Sequence, residues 1–266
     1  MNRFSNIISD CELNEATAPL PLVHTTSAYS FRQIMSSMRL TPFVDKAFNE
    51  EVLYFYYGKP SFYPKTENSS SFNHNFQVFF VFNPNALTAA RRVFPFDSGA
   101  FSGGLYTRYF SKHMSLTDFQ IELDDAQSGG TPFPITAQKI VASIYGSNER
   151  YFRSAPRSDL TYSVMDFELE GYLELIRNKA NDEFDDRRSV IEIQSTREMP
   201  LNRETLEAMI VPSALLDSDE FQEFIAQTGL DEITLMTYNH LRSKPEYFAA
   251  LATERVGSYL ETKGYL

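Results

Sequence analysis

The apolar positions of this chain fall into short runs with two rhythms. Continuous or alternating runs mark strands, and apolar residues three or four apart mark helices. The first run covers residues 20–26 and ends in His24-Thr25-Thr26. Phe31, Ile34, Met35 and Met38 then recur at helical spacing within residues 27–40, with Thr26 or Ser27 as the N-cap. Glu50 to Tyr63 opens as a run of β-formers and stops at Gly58-Lys59-Pro60, which predicts a strand feeding a loop. Residues 76–82 are apolar almost throughout, as in a strand buried on both faces, and Asn83-Pro84-Asn85 stops them. A short helix carrying Arg91 and Arg92 is expected over residues 86–93. Phe94 to Gly104 is a glycine-rich aromatic loop, either a substrate-facing lid or a plain structural connection.

Gly129 to Pro134 breaks the pattern, and helices follow over residues 136–145 and 168–178. In residues 189–195 alternation sets Val190, Glu192 and Gln194 on one face of a strand and Ile191 and Ile193 on the other. A strand over 207–211, a helix over 213–228, a strand over 232–238 and a helix over 245–260 complete the order. Polar residues 1–19 read as a loosely held arm, with Ile7-Ile8 as a pair able to dock, and 20–266 as one domain. The elements do not repeat as regular βαβ units, so the expected class is α+β.

Composition narrows the function. A chain of 266 residues with 42% hydrophobic and 14% aromatic residues buries a sizeable core. Its net charge of -11 argues against a broad electrostatic grip on nucleic acid or anionic membrane, while leaving room for a local basic groove. Cys11 is the single cysteine, so internal disulfides and cysteine zinc clusters are excluded, as suits a reducing cytosol. Without a membrane-length apolar run or a signal-peptide core, a cytoplasmic protein with no membrane partner is expected. The four histidines are scattered, so no metal is expected. Nucleophile-elbow, phosphate-loop and dinucleotide fingerprints are absent.

Three candidate pieces of chemistry remain. The tyrosines of residues 54–63 suit a pocket that grips an aromatic ring, and equally suit core packing. His24, Thr25 and Thr26 sit where a strand gives way to a helix, a corner able to hold an anionic or amide-bearing ligand. Glu192 is a strand-borne carboxylate, read either as catalytic or as solvent-facing. Arg150, Arg153 and Arg157 form the densest positive patch, which reads as a solvated loop or as a phosphate contact.

In order, His24-Thr25-Thr26, the aromatic strand Leu53 to Tyr63 and the late strand Ile191-Glu192-Ile193 resemble the signature strands of the ADP-ribosyltransferase superfamily, in its His-Tyr-Glu lineage. The nearer likeness is to bacterial toxins of that superfamily that modify nucleic acid. It runs over residues 20–212 but is dense only in those three stretches, and Lys59 stands where an arginine is more usual. The resemblance implies a split mixed β-sheet core with flanking helices, and NAD as co-substrate. It implies that His24, Thr25 and Thr26 hold the nicotinamide amide and its ribose, and that Tyr54 or Tyr56, with Tyr63 in reserve, stacks on the nicotinamide. Lys59 would offset phosphate charge, and Glu192 would stabilise the ribosyl cation and accept the acceptor's proton. Gln194 and Arg153 would contact the acceptor. That acceptor would be a nucleic acid, DNA or RNA, or alternatively a protein. A toxin or phage-defence role and a neutralising antitoxin follow from the resemblance as well. Two rivals stand beside it: an RNA 2′-phosphotransferase using the arginine clusters, and a non-catalytic adaptor whose aromatic strand is only core.

Overall fold

A computed structural model describes residues 3–9, 11–61, 72–87, 90–121, 123, 133–177, 186–228, 233–239 and 245–266. In chain order these residues form α1 (Arg3–Ser9), β1 (Leu22–Ser27), α2 (Ala28–Ser37), β2 (Arg39–Leu40), β3 (Phe43–Asp45), β4 (Glu50–Tyr57), β5 (Gln77–Phe82) and β6 (Arg92–Phe94). Then follow α3 (Ser98–Ser102), α4 (Leu116–Phe119), α5 (Phe133–Ile140), α6 (Asn148–Phe152) and α7 (Phe167–Arg177). The last elements are β7 (Glu192–Ser195), β8 (Met199–Pro200), β9 (Leu206–Pro212), α8 (Asp219–Thr228), β10 (Thr234–Tyr238) and α9 (Pro245–Lys263). The fold is α+β. One sheet takes the order β10-β9-β5-β1-β4-β7-β6, with β3 paired to the start of β4, and β2 and β8 pair separately. β10 runs parallel to β9, while the other pairs in the large sheet are antiparallel, so the sheet is mixed.

β5 is buried at every position because it lies between β1 and β9 with both faces covered, which accounts for its unbroken apolar run. One face, with Leu22, Phe55, Phe80 and Ile193, packs with α1, α2, α5, α7 and α8. The other carries Val23, Phe79, Val81 and Ile210 beneath Phe248, Ala252, Val256 and Leu260 of α9.

Three expectations are corrected here. The N-terminal segment is not a loose arm over its described residues: Phe4 and Ile8, one helical turn apart on α1, are buried in the main core. Residues 86–93 give no helix among those described. Arg92–Phe94 is instead the strand that closes the far edge of β7, with Val93 turned to the core. The helix expected over 213–228 is divided into a 3₁₀ turn at Ser213–Asp217 and α8, parted at Ser218. Inside the expected 94–104 loop sits α3, capped by the Asp97 side chain on the Ala100 N–H at 2.7 Å. Among the described residues no helix is long and apolar enough to cross a membrane.

Gly58 ends β4 at φ +70°, and a Cβ there would stand 2.4 Å from Leu20 Cδ1. Gly58→Ala therefore meets both a disfavoured backbone region and a clash in the core. The expected cost is about 1–3 kcal/mol, read as a lower denaturation midpoint at unchanged slope. An unshifted midpoint would mean that the turn relaxes freely.

Candidate functional site

Strand register assembles the site. Tyr56 lies opposite Glu192 and Tyr54 opposite Gln194 across β4 and β7, while Phe94 and Arg92 of β6 lie opposite the same two β7 residues. Because side chains alternate, these six share one face, and Ile191 and Ile193 go into the core. Arg92 lies over the Phe48 ring, 4.2 Å from its centroid, and pairs with Glu50.

Glu192 is 1% exposed, and three donors converge on its carboxylate. The Ser98 backbone N–H reaches Oε2 at 3.0 Å, the Ser98 hydroxyl reaches Oε1 at 2.6 Å, and Gln194 Nε2 reaches Oε1 at 2.7 Å. Gln194 Nε2 also lies 3.1 Å from Ser98 Oγ. Behind Ser98, Asp97 receives long contacts from the Tyr56 and Ser61 hydroxyls, each at 3.4 Å. Burial first, and then the nearby Asp97 charge, push Glu192 up to about 8 against the lowering by Ser98 and Gln194. Burial and the same acidic neighbourhood raise the Tyr54 and Tyr56 hydroxyls well above their ordinary value, so both stay neutral.

Beside this cluster the sheet opens. β1 pairs with β5 along its whole length but with β4 only at Leu22↔Tyr57 and Val23↔Tyr56. Past that point His24 Nδ1 lies 2.8 Å from the Tyr54 carbonyl, which requires the proton on Nδ1 and leaves Nε2 as an acceptor. Burial lowers His24 to about 4, against the raising effect of that bond, so the ring is neutral near pH 7. It packs between Phe55 and Phe80. A cavity of about 390 Å³ fills the opening, lined among others by His24, Thr25, Thr26, Arg39, Phe43 and Leu53. Thr25 Oγ1 is buried there without a hydrogen-bond partner among the described residues. Phe43, at the cavity wall, also packs on the Tyr54 ring at 5.7 Å between centroids. By register Thr25 shares the face of Tyr56, and His24 points to the opposite one.

The tertiary structure thus gathers Glu192, Gln194, Tyr54 and Tyr56, and places His24, Thr25 and Thr26 around the neighbouring cavity. It separates Lys59 and Arg153 from that cluster. Lys59 is 2% exposed and donates to the Tyr151 carbonyl at 3.3 Å, Ser154 Oγ at 2.8 Å and Ser189 Oγ at 3.0 Å, with its ammonium over the Tyr151 ring. The phosphate-facing role expected for it is replaced by an inward one, because Gly58 turns the chain at the end of β4 and these partners compensate a buried cation. Arg153 follows α6 with its side chain 69% exposed and pairs with Glu149. Arg150 bonds the Pro156 carbonyl and Arg157 pairs with Asp159, as in a solvated loop. Tyr63 lies outside the described residues. Asp97 and Ser98 are the site residues that the sequence pattern missed, although Asp is a preferred N-cap residue and so a helix-start signal. Among the described residues, no group of three or more His, Cys, Asp or Glu side chains is arranged to hold a metal ion. No protein-family model, no curated protein and no solved structure matches this chain.

Proposed function

We propose that this chain is an NAD-consuming ADP-ribosyltransferase in which Glu192 supplies the catalytic carboxylate. The observation that carries the reading is adjacency: the histidine, tyrosine and glutamate strands lie side by side as β1, β4 and β7, and β1 parts from β4 to leave the cavity at His24. The orphaned Thr25 hydroxyl, and Nε2 of neutral His24 as an acceptor in the lining of the same cavity, suit a ribose or a carboxamide. In the reaction the bond from ribose C1′ to the nicotinamide nitrogen breaks, and its electron pair leaves with nicotinamide. The acceptor's nucleophilic atom bonds to C1′, and its proton passes to Glu192 or to solvent. Ionised Glu192, the form that prevails above about pH 8 in the resting chain, favours the cationic ribosyl centre, a charge that exists only near the transition state. Because Glu192 is covered in the resting protein, substrate reaches it only when a neighbouring side chain gives way.

The acceptor is proposed to be a nucleic acid, as the resemblance implies. The test is incubation with labelled NAD and separate pools of DNA, RNA and cell protein. Label in a nucleic-acid pool is expected, and label in protein alone would change the acceptor while keeping the chemistry. No transfer and no free nicotinamide would overturn the reading. The closure over Glu192 favours a second reading, a binding module without catalysis, and this one predicts no heat of NAD binding by calorimetry.

A further inference from the structure

We propose that Ser98, carried on α3 with its cap Asp97, is a positioning residue that holds the Glu192 carboxylate in one orientation and biases its ionisation. Of the three donors on that carboxylate, two come from Ser98, one for each oxygen. Such bonds favour the ionised acid, which accepts all of them, over the neutral one. Asp97 acts the other way, since a second negative charge nearby opposes ionisation. The Asp97 carboxylate is fixed by its own bond to the Ala100 N–H, so one short helix carries both influences. That helix has an anchor independent of Glu192: Phe101 stacks on Phe96 at 5.6 Å and packs on Phe110. Among the described residues, the titratable groups beside Glu192 other than Asp97 are Tyr54 and Tyr56 on β4 and Arg92 on β6, with its own neighbour Gln194 next to them and Asp45 of β3 beyond Tyr54.

The kinetic part of this inference rests on the NAD reading, whereas the titration part does not. The experiment follows the Glu192 side-chain carboxyl by carbon-13 NMR against pH in the full chain, with the signal assigned by its loss in Glu192→Gln. Ser98→Ala keeps the backbone donor and removes the hydroxyl, and should raise the midpoint by about one pH unit, the worth of one such bond. Asp97→Asn keeps a helix-capping side chain and should lower the midpoint by a similar amount. Ser98→Thr, which keeps the hydroxyl, should restore it. General loosening of the site would not move the two variants in opposite directions. Unchanged midpoints in both variants, or shifts of the same sign, would overturn the proposal. The pH profile of NAD turnover should move with the titration. If the titration shifts as expected while the wild type never releases nicotinamide, the positioning role stands and the NAD reading falls.

Discussion

Glu192→Gln is expected to lower nicotinamide release from NAD by at least about a hundredfold, the usual scale for losing one transition-state charge partner. NAD affinity should stay close to the wild-type value, because the His24 cavity is lined by other residues. Gln preserves the shape and can still accept from Ser98, so the fold should survive. Stability gives an independent readout. Burial and Asp97 raise Glu192 from the ordinary 4.5 to about 8 in the folded chain, so between these values the native state binds the extra proton. Its contribution is therefore fully present below about pH 4.5 and is lost as pH rises through about 8, at up to roughly 1.4 kcal/mol per pH unit. Gln cannot ionise, so the variant should lose less stability than the wild type across that range and gain on it by pH 9. Turnover unchanged in Glu192→Gln would remove Glu192 from the mechanism. Parallel stability curves would show that the carboxyl titrates alike in folded and unfolded chains.

Lys59→Ala is expected to cost about 3 kcal/mol of stability, because truncation leaves a void and strands buried partners of the ammonium. Lys59 joins three distant segments: the end of β4, Ser154 after α6 and Ser189 just before β7. A Ser154–Ser189 hydroxyl contact at 2.7 Å closes the same knot. Urea unfolding should show a lower midpoint with little change in slope. The affinity for NAD, measured by calorimetry well below the melting temperature, should be unaltered. The reverse pattern, intact stability with weakened NAD binding, would return Lys59 to the phosphate-facing role that the sequence first suggests.

Much of the scaffold was written locally. The unbroken run of β5, the alternation around Glu192 and the helical spacing of α2 and α7 each depend on one segment burying one or both of its faces. That alternation correctly put Glu192 and Gln194 together and turned Ile191 and Ile193 inward. Partner choice was another matter. Ser98 reaches Glu192 from 94 residues away, and whether an Asp-Ser-Gly segment caps a helix over a carboxylate depends on what packs behind it. Arg91 and Arg92 looked helical because no local rule announces that β7 needs an outer neighbour, yet pairing with β7 made Arg92–Phe94 a strand. The polar N-terminal segment likewise docked chiefly through Phe4 and Ile8, with Ile7 partly buried beside them, and Ile7-Ile8 was the one local sign of it. Lys59 carried the same charge in either role. Its inward course followed from the positive φ of Gly58 and from buried oxygens on two distant segments, which only the folded chain brings within reach.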